Sequence, residues 1–394
     1  MVRNGFSFPE FLPSIGTRAT WDLARIVHRG TPGGYLSCDI KRSMLLVRSP
    51  WRNVKMVRVL CVSCGSERKQ FEHVCSNCGS VFEIKPDWKY RGTYREDFPY
   101  VRNWVSLGEA ETPLVDHGKM LLKLDYFQPT FSYKDRGSRV LVSRAADVLN
   151  KGQDINEDSS GNAGASVSAY GKAAGFKVHI FASEGANESK LKQIRAYGAS
   201  VTQVRGSREN VTEAAIKAPG TYMGHSYIPE FRDGIRSLAY ELFRQTGGKI
   251  PDVIYVPLSA GTLLLGVHSG FTNLLDSGEI TQMPSIVGVQ PQGVDPICAQ
   301  IKGAAYDPNN GITSIADALV TKKPVLRKLV VSALSGSGTC VPVTDAEIME
   351  SWKDLSTSGY LVEHSSAAAL AGYRKLRRGE RPAIILTGNG LKSV

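Results

Sequence analysis

Lys134 stands in the run Pro129-Thr-Phe-Ser-Tyr-Lys-Asp-Arg-Gly-Ser138, among small, hydroxylated and aromatic residues, at what reads as the entry to a helix. A solvated surface lysine requires no such setting. A neutral, immobilised amine does, because it can add to a carbonyl carbon and, once displaced, serve as a base. Removal from water and neighbouring cations both favour that neutral form. Three other short runs share the same character: Ser159-Ser-Gly-Asn-Ala-Gly-Ala-Ser166, Pro257-Leu-Ser-Ala-Gly-Thr262 and Leu386-Thr-Gly-Asn-Gly390. The first two open helices, where free backbone N–H groups can hold a carboxylate or a phosphate. Singly, each is an ordinary turn. Their joint occurrence carries the argument.

Four of the seven cysteines form a second constellation, Cys61-Val-Ser-Cys64-Gly and Cys75-Ser-Asn-Cys78-Gly. Each CxxC knuckle turns two thiolates toward one point, and the glycine after it permits a left-handed turn. Two knuckles make a tetrahedral four-thiolate zinc site with no open position, which folds a module and does no chemistry. The competing readings are a redox CxxC or a pair of disulfides, although a redox motif needs no matched second copy. Cys38, Cys298 and Cys340 show no spacing logic and are expected to be buried free thiols. The odd count fits a reducing cytoplasm.

The elements that must position these residues alternate. Lys177–Phe181 and Val201–Val204 read as strands, with a helix over Glu188–Tyr197 between them and Gly198 placed to end it. Asp252–Val256 reads as an apolar strand feeding the Pro257–Gly261 loop and a helix to about Leu275. Ser285–Gln290 and Ala383–Leu386 are further buried strands. Strands alternating with helices imply parallel sheets covered on both faces, with ligands at the carboxyl ends of the strands.

The bulk numbers bound the reading. The chain has 394 residues, enough for two domains and an accessory piece, and no run approaches a membrane span. The formal charge of +11 raises the question of a nucleic-acid partner. Residues 1–55 hold nine Lys/Arg against three Asp/Glu, so +6 of it lies there and an ordinary +5 on the rest. That segment is aperiodic and broken by turns such as Thr31-Pro-Gly-Gly34. It reads either as a transit peptide or as an upstream extension before Met56; a basic extension outside the core is the expectation, with no catalytic role. The stretch Glu67–His73 within the cysteine module mixes both charge signs, so nucleic acid is not expected as a partner.

From about residue 57 to 394 the chain resembles the fold-type-II pyridoxal-phosphate (PLP) enzymes, and among them the threonine synthase family. The family's PTGSFKDRG appears as Pro129–Gly137, its SSGNxxA loop as Ser159–Ala165, and its KxxQxxxYGA run as Lys190–Ala199. The VEPSSAAALAG helix appears as Val362–Gly372 and the LTGHGLK ending as Leu386–Lys392. The N-terminal ribbon is similar to that of archaeal members. The resemblance implies a tryptophan synthase β-like α/β fold: two doubly wound domains with the cofactor between them, plus a small zinc ribbon. The expected division is a ribbon over 56–86, a large domain over 87–120 and 250–394, and a small domain over 121–249. It implies further that Lys134 forms the Schiff base with PLP and that Asn162 meets the PLP 3′-oxygen. Ser159 and Ser160 would bind the substrate carboxylate, Ser259, Ala260, Gly261 and Thr262 the PLP phosphate, and Thr387 the pyridine nitrogen. A hydroxyl partner cannot hold that nitrogen protonated as a carboxylate would, which weakens the electron sink and favours elimination or replacement over transamination.

Three departures bear on the substrate. The phosphate loop keeps only Gly261 of the family's two or three glycines, Phe131 replaces a glycine and narrows the space near the lysine, and the family's Asn-Pro-Tyr-Arg-like segment is Ile228–Gly234. There the amide is lost and a carboxylate, Glu230, is gained, which would repel a substrate phosphate. Arg232 or Arg236 would have to compensate, so Arg232 is a candidate substrate ligand. The expected activity is that of a threonine synthase on O-phosphohomoserine. The alternatives are a paralogous β-replacement or elimination enzyme (cysteate synthase, cysteine synthase, threonine/serine dehydratase) and, in a third class, a non-catalytic PLP-fold protein or a nucleic-acid binder using its ribbon. A homodimer, a small amino-acid substrate and a cytoplasmic location complete the expectation.

Overall fold

The structure, a computed structural model, describes residues 57–186 and 188–392. The basic segment 1–55 and Cys38 lie outside the described residues. Twelve strands are described: β1 Val59–Cys61, β2 Phe82–Ile84, β3 Leu114–Asp116, β4 Leu121–Leu124, β5 Asp154–Glu157, β6 Lys177–Ser183, β7 Ser200–Val204, β8 Thr221–Tyr222, β9 Val253–Pro257, β10 Ser285–Pro291, β11 Thr339–Val343 and β12 Ala383–Leu386.

They form three sheets. β1 and β2 pair antiparallel in the cysteine module. Six strands in the order β11-β10-β9-β12-β4-β3 make the large sheet, parallel except for the β3–β4 edge. Four strands in the order β7-β6-β5-β8, all parallel, make the small one. Every residue of β9, β10 and β12 is buried, as strands covered on both faces must be.

Alternation assigns the faces. Ile254, Val256, Ile286 and Ile385 join the core beneath the helix Thr262–Ser277, whereas Tyr255, Val287, Val289 and Ile384 join a second core with Ala367–Ala371 of the helix His364–Leu376. In the small sheet Val178, Ile180 and Ala182 face the helix Asn162–Ala173, while Phe181 packs on Val211 and Ala215 of the helix Arg208–Lys217. Both sheets are therefore doubly covered α/β layers, as expected. The expected division at residue 120 cuts between β3 and β4, which the structure keeps paired in the large sheet.

Among the described residues no helix is long and apolar enough to cross a membrane. One expectation is overturned. Cys298 and Cys340 are buried but bridged as a disulfide, not free. The bridge ties the helix Pro296–Ile301 to β11, two neighbours that a search for CxxC spacing could not connect.

Candidate active site

All four small-residue loops leave carboxyl ends of parallel-sheet strands: Asp125–Tyr133 after β4, Asp158–Gly161 after β5, Leu258–Gly261 after β9, and Thr387–Asn389 after β12. Lys134 is the first residue of the helix Lys134–Ala146. Its half-buried amine lies 4.8 Å from the centre of the Tyr133 ring and 5.8 Å from that of Phe231.

Tyr133 is the joint of the site. Its hydroxyl is 3.5 Å from that of Thr262, the first residue of the helix after β9, and its N–H donates to the Thr387 carbonyl at 2.9 Å. Ser132 bridges to Gly388, and Asn389 N–H donates to the Phe131 carbonyl at 3.1 Å. The lysine loop is thus laced to the last loop by backbone. Below it, buried Asp135 accepts from Thr130 N–H, the Thr130 hydroxyl and the Ser166 hydroxyl, each at 2.6 Å. Burial pushes its carboxyl up to about 6, against those hydrogen bonds.

Asn162 opens the helix after β5 and donates through Nδ2 to Glu363 at 2.7 Å, while its Oδ1 is buried without a partner. Glu363 is itself buried, which raises its pKa, and its Oε1 stands 3.8 Å from Lys190 Nζ. Lys190 also pairs with Asp317, and Lys392 donates to the Thr130 carbonyl at 2.9 Å. Ser159 and Ser160 remain half-exposed at the mouth of the same turn. Ser159 Oγ accepts from Gly161 N–H at 3.3 Å. Gly161–Asn162 and Thr387–Asn389 come together because Gly388 has no side chain. A Cβ there would overlap the Glu363 carboxylate.

In the loop after β9, Ser259 shares a hydrogen with Thr321 at 2.7 Å, and Gly261 takes φ +103° at the head of the helix. A side chain at Gly261 would run into Val330, so both backbone and space require glycine there. Ala260 is half-exposed beside it. The Thr387 hydroxyl is 2.9 Å from the Ser366 hydroxyl, and Ser366 Oγ accepts from the N–H groups of Thr387 and Gly388.

Two expectations about the 228–234 segment change. Glu230 is ion-paired with Arg68 of the cysteine module, and both side chains are buried. Arg232 donates to the carbonyls of Phe82, Ser226 and Tyr227, and burial lowers its pKa to about 10. Arg236 is buried against Trp88, Phe98 and Tyr240 and donates to Asp97 O and Asp233. Neither arginine is available as a substrate ligand. This helix, Pro229–Ile235, seats the cysteine module through Glu230 and Arg232, while its Phe231 ring lies near the Lys134 amine. The Phe131 side chain is 49% exposed and its backbone takes φ +66°.

Sequence reading assigned no role to Tyr133, Ser366, Thr321, Glu157 or His225. Tyr133 and Ser366 lie inside the motifs quoted, and the acidic pair Glu157-Asp158 directly precedes Ser159, which was the available signal. Glu157 is fully buried and binds His225 twice, through the backbone N–H at 3.0 Å and ring Nδ1 at 2.8 Å.

In the cysteine module the Sγ atoms of Cys61 and Cys78 are 3.4 Å apart, and those of Cys64 and Cys75 3.6 Å. Gly65 and Gly79 both take left-handed φ, +70° and +69°, and each N–H closes its knuckle on the first cysteine's carbonyl. The two knuckles are near copies, and the four thiols together could hold a metal ion.

Residues 105–388 match the pyridoxal-phosphate dependent enzyme family. Curated relatives include threonine synthases from Methanocaldococcus jannaschii, 32% identical over 84% of this chain and 92% of that one, and Methanosarcina acetivorans, 29% identical over 86% and 92%. The fold is shared with a solved cysteine synthase from Entamoeba histolytica at a TM-score of 0.60 and 21% identity, covering 79% of this chain and 92% of that one. With the family matched over most of its length, and a lysine at the meeting point of four strand-end loops, the chain belongs to the pyridoxal-phosphate dependent enzymes.

Proposed function

We propose that this enzyme is a threonine synthase, converting O-phosphohomoserine and water to threonine and phosphate. The observation that carries it is the convergence on Lys134 of the Thr262 and Thr387 loops through one residue, Tyr133. The likeness to curated threonine synthases supports the reading.

The residues fit PLP on two counts. Asn162 Oδ1 and Ser132 Oγ are buried polar atoms without partners, and the Lys134 amine stands at the head of its helix beside the Tyr133 ring. Lys134 would hold the cofactor covalently, Ser259–Thr262 its phosphate, Asn162 its 3′-oxygen, and Thr387 its ring nitrogen. When bound, PLP supplies an aldehyde to capture the substrate amine and a ring that withdraws electrons from Cα. The chain's own part is to hold and move protons. Lys134 takes the Cα proton and returns protons within the same cleft, Ser159 and Ser160 orient the carboxylate, and Ser366 fixes the Thr387 hydroxyl.

The Cys61, Cys64, Cys75 and Cys78 thiols suit zinc, for which a tetrahedron of about 2.3 Å bonds sets sulfurs about 3.8 Å apart. Zinc there would lock the module that Arg68 and Phe82 dock onto the Pro229–Ile235 helix.

A second reading, a paralogue acting on a substrate with another distal group, is favoured by one observation. Arg232 and Arg236, the arginines nearest the family's phosphate-binding segment, are engaged in structural contacts. The experiment separates the two. Threonine release from O-phosphohomoserine is measured beside sulfide- and sulfite-dependent turnover of O-phosphoserine, with hydride trapping and peptide mapping of the pyridoxyl group. Threonine formation with the label on Lys134 is expected; sulfur incorporation without threonine rejects the first reading, and a label elsewhere rejects both.

A further inference from the structure

The Glu157–His225 pair has no part in the roles assigned above. Glu157 ends β5, and His225 follows β8 on the neighbouring strand's connection, so two adjacent strands of the small sheet present the pair at one end. The Glu157 side chain is 0% exposed and that of His225 is 12% exposed. With Nδ1 on Glu157, Nε2 is the nitrogen left for a ligand, and it has no hydrogen-bond partner among the described residues. The His225 ring packs edge-on against Phe231, centroids 5.6 Å apart, and Phe231 is also a neighbour of the Lys134 amine. The imidazole, backed by the Glu157 carboxyl, and the lysine amine therefore flank one aromatic ring.

The proposed reaction requires a proton at the leaving group. A phosphate monoester dianion that lost its C–O bond unaided would depart as trivalent phosphate, a poor leaving group near neutral pH. We propose that His225 delivers a proton from Nε2 to the ester oxygen of the departing phosphate while Glu157 passes its own proton to Nδ1. This rests on the threonine synthase reading. The C–O bond breaks, its electron pair goes to oxygen, and the phosphate leaves as hydrogen phosphate. His225 remains neutral with its hydrogen on Nδ1, and Glu157 becomes a carboxylate held by the His225 N–H groups. The water that adds to the substrate returns a proton through Nε2, and Glu157 is reprotonated.

The surroundings suit this cycle. Burial, then the neighbouring Asp158, pushes the Glu157 carboxyl well above its usual range, with Arg208 and Lys134 opposing. Burial pushes His225 well below its usual range, helped by Lys134 and Arg208. Asp158 is itself occupied by Arg208, Thr212 and the Tyr222 hydroxyl. Each shift favours the neutral form, and a neutral carboxyl donating to Nδ1 leaves the ring hydrogen on Nε2. The same two cations steady the carboxylate that forms.

Nitrogen NMR of labelled wild type, with His225 assigned by its absence in His225→Gln, is expected to show a neutral ring with hydrogen on Nε2 that does not titrate across the neutral range. The near-isosteric Glu157→Gln can still donate to Nδ1 but cannot yield a proton. It is expected to keep the fold, the cofactor band and KM, and to lose about a hundredfold or more in kcat. An imidazolium, an Nδ1–H tautomer, or full kcat in Glu157→Gln overturns the relay. A wild type that makes no threonine overturns the functional reading with it, whereas threonine formation at full rate by Glu157→Gln overturns the relay alone.

Discussion

Gly137 and Phe231 are packed so closely that a Cβ on the glycine would lie 2.7 Å from two ring carbons and from the Phe231 carbonyl oxygen. Across the same crossing, a Cβ on Gly234 would overlap the Arg136 carbonyl. The lysine helix and the Pro229–Ile235 helix therefore meet backbone to backbone. Gly137→Ala is expected to cost about 1–3 kcal/mol by overpacking. Because Lys134 lies one turn away, the substitution should also weaken cofactor retention. Urea unfolding and PLP titration of the same variant check both; wild-type values in both would mean that the crossing relaxes freely.

Phe131 carries a left-handed backbone, φ +66°, with its ring half in water. Glycine takes that conformation without strain, whereas any other L-residue pays about 1–2 kcal/mol. Phe131→Gly is thus expected to be more stable than Phe131→Ala by about 1 kcal/mol, read as a difference in urea midpoint. Equal stability would remove the strain argument.

Phe131 also marks the limit of what sequence can carry. The departure from glycine was visible in the run itself, but its consequence was backbone strain, and φ is not written in side-chain chemistry. The parallel strands β9, β10 and β12 were legible because strands covered on both faces read as continuous apolar runs. Strands β4 and β5 were not read in advance, since Lys123 and Asn156 interrupt them. Both side chains are buried and their N–H donors are satisfied by distant partners: the Lys123 amine by Thr112 O and Gln245, the Asn156 amide nitrogen by Ala215 O and Pro219 O. The loops of the site were legible because helix N-termini demand small and hydroxylated residues. The fate of Arg232 and Glu230 was not, because their partners, Phe82 and Arg68, lie some 150 residues earlier in the chain.

That long-range pair gives a third expectation. Arg68 and Glu230 are 5% and 1% exposed, so removing the arginine alone strands a buried carboxylate. Arg68→Leu is expected to destabilise by about 3 kcal/mol, and Arg68→Leu with Glu230→Leu to recover most of the loss. A double-mutant cycle by urea denaturation measures this; additive effects would show that the two side chains do not depend on each other.

Lys392 supplies a pH test. Burial, only partly offset by Glu363 and Asp135, lowers its amine from 10.5 to about 8 in the folded protein. The unfolded chain then binds more protons than the folded one between about pH 8 and 10.5, so this residue's contribution to stability rises with pH through that window. Below about pH 8 the charged amine is held at a cost, repaid in part by its hydrogen bond to the Thr130 carbonyl. Lys392→Met removes the titrating group while keeping most of the side-chain volume. Urea midpoints measured from pH 7 to 10 are therefore expected to climb more steeply in wild type than in Lys392→Met. Parallel profiles would show that the amine is as well solvated folded as unfolded.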